Sequence, residues 1–313
     1  MKWYFILIII FIVLLSLSIL MAYISYRLTF YSNKNKKANV LKLPDQNIFI
    51  TYKDEIKKDI EDVQKLNHTI YSITSHDGLK LYAKYYEYKP GAPIEIMFHG
   101  YKGDGIRDMS TGVKRAHKCG RNAFVVDQRA SGDSEGSVIT FGIKERFDCV
   151  AWVNKVVEIF GDDVKIIIGG VSMGASTALM ASSLDLPKNV VGVLADCGFN
   201  NPSDIIKKVV KDMKMPVWLI YPYIKLGARL FGRFNLEEAS PYESVQKTKL
   251  PIIFFHGEKD NFVPHDMSKK LYDATASKKK LVTIKNAPHG VSYLVDPDYY
   301  VEELNKFFIN EKL

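Results

Sequence analysis

The stretch Ile166-Ile167-Ile168-Gly169-Gly170-Val171-Ser172-Met173-Gly174-Ala175-Ser176-Thr177 changes character in its middle. An apolar, β-branched run stops at two glycines. A serine follows, then a third glycine, then good helix formers (Ala175, Leu179, Met180, Ala181). This reads as strand, sharp turn and helix, with Ser172 at the tip of the turn. Gly170-x-Ser172-x-Gly174 is the spacing of a nucleophile elbow, in which a serine on a tight turn projects its hydroxyl clear of the sheet. Flanking side chains would collide there, so glycines flank it. The helix that begins at once aims unpaired N–H groups at the same place.

Working outward, strands and helices alternate. Residues 70–74 and 79–88 alternate apolar and polar about a His76-Asp77-Gly78 turn, which predicts a hairpin. Apolar runs at 94–98, 123–126, 190–194, 251–255 and 280–284 predict further strands. Helical spacing covers about 107–119, 143–160 and 298–308. Such alternation predicts an α/β fold with a mostly parallel central sheet flanked by helices and an antiparallel hairpin at one edge. Residues 200–249 break the rhythm. Their apolar content (Trp218, Leu219, Ile220, Tyr221, Phe231) predicts a small helical cap over the sheet edge.

A serine hydroxyl needs a base to take its proton, and the base needs an acid to orient it. In a parallel sheet such groups gather at the carboxyl ends of strands. His289, in Ala287-Pro288-His289-Gly290 after the last strand, is the expected base. His99 is its rival, but it precedes Gly100 beside the expected oxyanion turn; His256 reads as a packed residue at a strand end. Asp260, in the loop that opens with His256-Gly257, is the expected acid, with Asp196 at the preceding strand end as the alternative. The order serine, acid, histidine favours Ser172, Asp260 and His289. The oxyanion hole is expected from the backbone N–H groups of Met173 and of Tyr101.

These residues together resemble the α/β-hydrolase superfamily. The resemblance rests on Gly170-Val171-Ser172-Met173-Gly174, His99-Gly100, His256-Gly257…Asp260…Val263-Pro264 and Pro288-His289-Gly290, and spans about residues 69–308. Ser75-x-Asp77-Gly78, Asp127-x-Arg129-x-Ser131-Gly132-x-Ser134-x-Gly136 and Asp196-Cys197-Gly198-Phe199 are similar to a bacterial subgroup of esterase- or peptidase-like serine hydrolases. Ala130 departs from it, standing where many relatives have glycine. The resemblance implies the α/β-hydrolase fold and a Ser172–Asp260–His289 triad. It does not fix a substrate, because the fold hosts many.

Residues 3–23 are almost wholly apolar, and no charge falls between Lys2 and Arg27. That length suffices for a transmembrane helix, which needs about 20 residues. It exceeds a signal-peptide core of about 7–15 residues. An uncleaved N-terminal anchor is expected. Arg27, Lys34, Lys36 and Lys37 outnumber Lys2 and lean toward a cytoplasmic catalytic domain by the positive-inside rule. The expected organisation is an anchor over 1–30, a juxtamembrane linker over 31–66 that turns helical near 52–66, and an α/β-hydrolase domain over 67–313.

Three scattered cysteines without a C-x-x-C pair predict free thiols, with neither a disulfide framework nor a zinc site. No cofactor and no metal are expected. The net charge of +8 is spread along the chain without a nucleic-acid recognition motif, so a nucleic-acid partner is not expected. The expected activity is a membrane-anchored serine hydrolase acting on a small-molecule or lipid-like carboxylic ester or thioester. The alternatives are a serine peptidase or amidase of the same fold and a non-catalytic binding protein. A serine at the elbow argues against epoxide and haloalkane chemistry, which need aspartate there.

Overall fold

A computed structural model describes residues 3–33 and 51–308. Residues 34–50 of the expected linker, with Lys34, Lys36 and Lys37, and residues 309–313 lie outside it. Eight strands form one sheet: β1 (Thr69–Thr74), β2 (Lys80–Tyr86), β3 (Ile94–Phe98), β4 (Asn122–Asp127), β5 (Ile166–Val171), β6 (Val190–Asp196), β7 (Ile252–Gly257) and β8 (Lys279–Ile284). Their order is β1-β2-β4-β3-β5-β6-β7-β8. β2 runs antiparallel to β1 and to β4, and every other pairing is parallel. The expected edge hairpin is therefore present, and the elbow strand β5 lies near the centre.

The helices are α1 (Trp3–Thr29), α2 (Lys53–Gln64), α3 (Gly105–Lys118), α4 (Glu145–Phe160), α5 (Met173–Ala181), α6 (Pro202–Asp212), α7 (Val217–Leu230), α8 (Pro241–Val245), α9 (His265–Ala274), α10 (Ser292–Val295) and α11 (Pro297–Phe308). Parallel strands need both faces covered, and successive side chains point to opposite faces. Ile166 and Ile168 pack toward α4 and α5, with Trp152, Val153 and Ala178. Ile167 between them packs toward α11, with Leu304 and Phe308. Phe124 and Val126 likewise join the first face, while Ala123 and Val125 meet Met109 and Val113 of α3.

Local chemistry sets the helix starts. Asp104 caps α3 by accepting from Arg107 N–H at 2.9 Å. Asn201 caps α6, with Pro202 in the first turn. Glu145 accepts from the N–H groups of Thr140 and Gly142, at 2.8 and 2.9 Å, and so folds the loop that leads into α4. Asp127 braces two segments at once. It accepts from Gly105 N–H at the start of α3 and from Asp133 N–H in the following loop.

α1 has 27 residues, roughly 40 Å at 1.5 Å per residue, and is long and apolar enough to cross a membrane. Its C-terminal end is docked rather than loose. Ala22, Ser25, Tyr26 and Phe30 are buried. The Phe30 carbonyl accepts from Ile139 N–H at 2.8 Å, and Ser32 N–H donates to the Ser137 carbonyl at 2.9 Å. Ile56, Ile60 and Val63, spaced for one helical face, seat α2 on the domain beside Val113 of α3 and Leu294 of α10.

Candidate active site

Ser172 sits between β5 and α5 with φ 57° and ψ −118°. A non-glycine residue there is strained, and strain of this kind persists only where surroundings enforce it. The enforcement is visible. Ser172 N–H donates to the Asp196 carbonyl at 2.8 Å, and the Ser172 carbonyl accepts from Ser176 N–H at 3.1 Å. The flanking glycines are required by close approach. A Cβ on Gly174 would overlap the Phe98 carbonyl and come within 2.7 Å of the His99 oxygen; one on Gly170 would also strike the Phe98 carbonyl. β3 therefore presses directly against the turn.

The structure brings the three expected side chains together. His289, in the loop after β8, places Nε2 3.0 Å from the Ser172 hydroxyl oxygen and Nδ1 2.6 Å from Asp260 Oδ2. Asp260, in the loop after β7, is buried. Its Oδ1 accepts from the N–H groups of Phe262 and Val263 at 2.9 and 2.8 Å. Burial alone would raise its carboxyl pKa. The hydrogen bonds from His256 and His289 outweigh that and hold it well below the usual carboxylate range. With Asp260 accepting at Nδ1, the His289 proton resides on Nδ1, and Nε2 is free to accept from the serine hydroxyl. Phe262 covers the imidazole, with ring centroids 5.1 Å apart.

The rivals are engaged elsewhere. His99 is buried; its Nε2 accepts from Gln128 N–H at 3.0 Å, leaving Nδ1–H to donate to the Gly100 carbonyl at 2.8 Å. Asp196 is fully enclosed and accepts from Ser292 and Tyr300 hydroxyls, each at 3.1 Å. Burial raises its pKa. It supports the elbow through its backbone carbonyl, while its two carboxylate oxygens are taken by Ser292 and Tyr300.

Tyr101 lies in the turn closed by Gly103 N–H donating to the Gly100 carbonyl at 3.2 Å, with Lys102 at φ 53°. Gly100 N–H is held by Asp108 Oδ2 at 3.2 Å. Met173 is the first residue of α5, so its N–H belongs to the group a helix leaves unpaired. The turn is also tied to α1: the Tyr101 hydroxyl donates to the Thr29 carbonyl at 2.7 Å, and Lys102 Nζ donates to the Leu28 carbonyl at 3.1 Å.

Two contributors escape a reading of the sequence. His256, expected as mere packing, reaches Asp260 Oδ2 at 3.1 Å through Nε2, while its Nδ1 meets the Ser268 hydroxyl at 2.7 Å. Gln128 fixes His99 from two sides, its side-chain amide also donating to the His99 carbonyl at 2.7 Å. The four-residue spacing of His256 and Asp260 around a strand-end glycine was the available signal for the first. Nothing in the local pattern marked the second.

A cavity of about 220 Å³ opens beside Ser172, His289 and Tyr101. Met97, Met109, Leu194 and Leu294 are among its apolar walls, and the buried Glu95–Arg115 ion pair is part of its lining. Ile56 of α2 lines it too, whereas no residue of 200–249 does. That segment packs around the end of α1 and, in the same cluster, against Met173, Tyr101 and Phe262 beside the serine.

Cys197 Sγ, Asp260 and His289 offer atoms within 4.8 Å of one another, a spacing that could hold an ion. The donor set fits one poorly. Burial pushes the Cys197 thiol well up, so it stays protonated, and Asp260 and His289 already satisfy each other.

Comparison with known proteins agrees with this architecture. Over 196 residues the chain is 27% identical to YqkD of Bacillus subtilis, covering 61% of this chain and 63% of that protein. It is 26% identical over 217 residues to lysophosphatidylserine lipase ABHD12 of Danio rerio, covering 64% and 52%. The chain thus spans between half and two thirds of these relatives' length. Among solved structures, an esterase of Pyrococcus furiosus, Pf2001, superposes with a TM-score of 0.64 at 23% identity, over 81% of this chain and 93% of that one. Est1E of Butyrivibrio proteoclasticus, solved with ferulic acid, gives 0.60 at 18% identity, over 77% and 98%. At such identities the likeness is one of fold. The sequence profile of the BD-FAE family matches residues 82–275, most of the sheet and the elbow included, and the chain belongs to that family within the α/β-hydrolase superfamily.

Proposed function

We propose that this chain is a membrane-anchored serine hydrolase that cleaves carboxylic esters or thioesters through an acyl-enzyme on Ser172. The observation that carries the reading is the continuous hydrogen-bonded series from the Ser172 hydroxyl through His289 to Asp260, with its distances of 3.0 and 2.6 Å. In the first step the Ser172 oxygen attacks the substrate carbonyl while its proton passes to His289 Nε2. Asp260, ionised and held by four donors, stabilises the imidazolium. The N–H groups of Tyr101 and Met173 would receive the oxyanion. Collapse of the tetrahedral adduct expels the alcohol or thiol, which takes the proton from His289. A water molecule then repeats the sequence and frees the acid.

The names of similar proteins, a lysophosphatidylserine lipase and esterases, support ester chemistry. The largely apolar cavity beside Ser172 supports an acyl group as the bound portion, and hence lipid-like over strongly polar substrates. The organisation proposed is an anchor over 1–30, a linker over 31–66 and a hydrolase domain over 67–313 with its cap at 200–249. The positive flank of α1 supports a cytoplasmic domain. Replacing Ser172 with alanine tests the mechanism. Turnover of short p-nitrophenyl esters should fall by roughly 10⁴-fold or more, and labelling by a fluorophosphonate should disappear. Undiminished turnover would end the proposal.

A further inference from the structure

The hairpin formed by α6 and α7 carries an unusual tip. Met213, Met215, Trp218 and Leu219 are all exposed, Trp218 to 78% and Met213 to 63%. A lone exposed apolar residue is ordinary, but four within seven residues form a patch that calls for a partner. The rest of the hairpin is conventionally built: Ile205, Ile206, Val210, Tyr221 and Ile224 are buried together against Phe199. Lys211 and Asp212 precede the tip and Lys214 lies within it, all three exposed, with the Asp212 carboxylate paired to Lys208 at 2.5 Å. Cations bordering apolar and aromatic side chains are the composition of a surface that enters lipid headgroups.

The position of α1 says which partner. α7 packs directly on it. A Cβ on Gly227 would strike the Ala22 carbonyl and come within 3.1 Å of Tyr26, so the two backbones cross at small residues, as membrane helices do. Phe231 meets Tyr23 and Tyr26 with ring centroids 5.2 and 5.8 Å apart, and Phe234 meets Phe30 at 5.1 Å. Both helices lead into the globular domain at their C-terminal ends, through Phe30 and Phe234, and so run in the same sense. The N-terminal end of α7 then points back along α1 toward its apolar middle. Trp218 lies roughly 13 Å along α7 from the Gly227 crossing, at 1.5 Å per residue. If α1 spans a bilayer, that displacement carries the tip into the same bilayer.

We infer that residues 213–219 are a second, monotopic membrane contact, seated in the leaflet that holds the C-terminal half of α1. This rests on the reading of α1 as a membrane span. The tip would fix the roll of the domain about α1, which a single span cannot do.

The test uses the full chain carrying Trp3→Phe, so that Trp218 and the core residue Trp152 are the remaining tryptophans. It is reconstituted in phosphatidylcholine vesicles and in matched vesicles brominated on the acyl chains. Flotation after carbonate washing checks the span, and a Trp3→Phe/Trp218→Phe chain supplies the Trp152 background. The Trp218 emission should be largely lost in bromolipid and should resist iodide added to the water. Iodide quenching without bromolipid quenching, in a chain that floats, overturns the inference and leaves the span standing. Shielding from both quenchers that grows with protein density assigns the patch to a second copy of the chain and overturns it as well. A chain that fails to float removes both readings.

Discussion

Asp260→Asn separates the two candidate acids and can be worked through atom by atom. The amide oxygen can still accept from Phe262 and Val263 N–H, at the Oδ1 position. The amide nitrogen then replaces Oδ2 and confronts two donors, His289 Nδ1–H and His256 Nε2–H. His289 relieves the clash by moving its proton to Nε2, which turns a donor toward Ser172 and destroys its capacity to act as base. A change of this kind lowers kcat by roughly 10⁴-fold in a serine triad. The His289 contact is re-formed as a neutral bond and the His256 Nε2–H keeps the Val263 carbonyl at 2.8 Å, so the loss is of charge assistance and stability should drop by about 1.5–3 kcal/mol. The pH dependence has a definite sign. The carboxyl is depressed in the folded state relative to an ordinary value of 3.8. Its contribution is therefore fully present above about pH 4 and lost as pH falls through the folded value. Urea unfolding should show the gap between the parent and Asp260→Asn narrowing as pH is lowered below about 4. Asp196→Asn is the control. Its partners are the hydroxyls of Ser292 and Tyr300, and burial already disfavours its charge. Its kcat with p-nitrophenyl esters should stay within roughly tenfold of the parent, since its carboxylate oxygens are taken by those two hydroxyls. If Asp196→Asn loses as much activity as Asp260→Asn, the assignment of the acid is refuted.

Gly174→Ala should lower stability by about 1–3 kcal/mol or more, because the added methyl meets the Phe98 backbone rather than a side chain that could turn away; thermal unfolding reads it, and slowed fluorophosphonate labelling should accompany it. Tyr101→Phe removes the bond to the Thr29 carbonyl but keeps the backbone N–H, so stability should drop by about 0.5–1.5 kcal/mol while kcat stays within roughly tenfold of the parent. A hundredfold loss of kcat would mean instead that the tie to α1 sets the position of the oxyanion turn.

Much of this molecule is legible in its sequence because the information is local. The glycines at 170 and 174 announce a turn that excludes side chains, and apolar runs ending in His99-Gly100, Ser172, Asp196 and His256-Gly257 mark strand ends. Chain order then favours His289 as the base, and the loop that follows His256-Gly257 favours Asp260 over Asp196 as the acid. What stayed hidden depends on long-range pairing. Gln128 reads as one polar residue among several in its loop; only the fold sets it against His99. The face that α1 turns toward α7 is also obscured, because a helix apolar all round has no amphipathic stripe to betray it. Only the small residues Ala22, Ser25 and Gly227 hint at a crossing. α2 shows its own apolar face plainly, with Ile56, Ile60 and Val63, yet that pattern cannot reveal that Ile56 walls the cavity beside the serine.

The docked end of α1 has a consequence for kinetics. Leu28, Thr29, Phe30 and Ser32 are all bonded into the globular domain, two of them to the turn that carries Tyr101. With α1 in a membrane, the domain stands on a mast instead of swinging on a leash, and Ser172 keeps a constant height over the lipid. An ester dissolved in the same leaflet would be encountered at a local concentration set by its molecules per unit area. Turnover of such a substrate should then track its mole fraction in the vesicle and ignore dilution of the suspension, whereas a water-soluble ester should follow its bulk molarity.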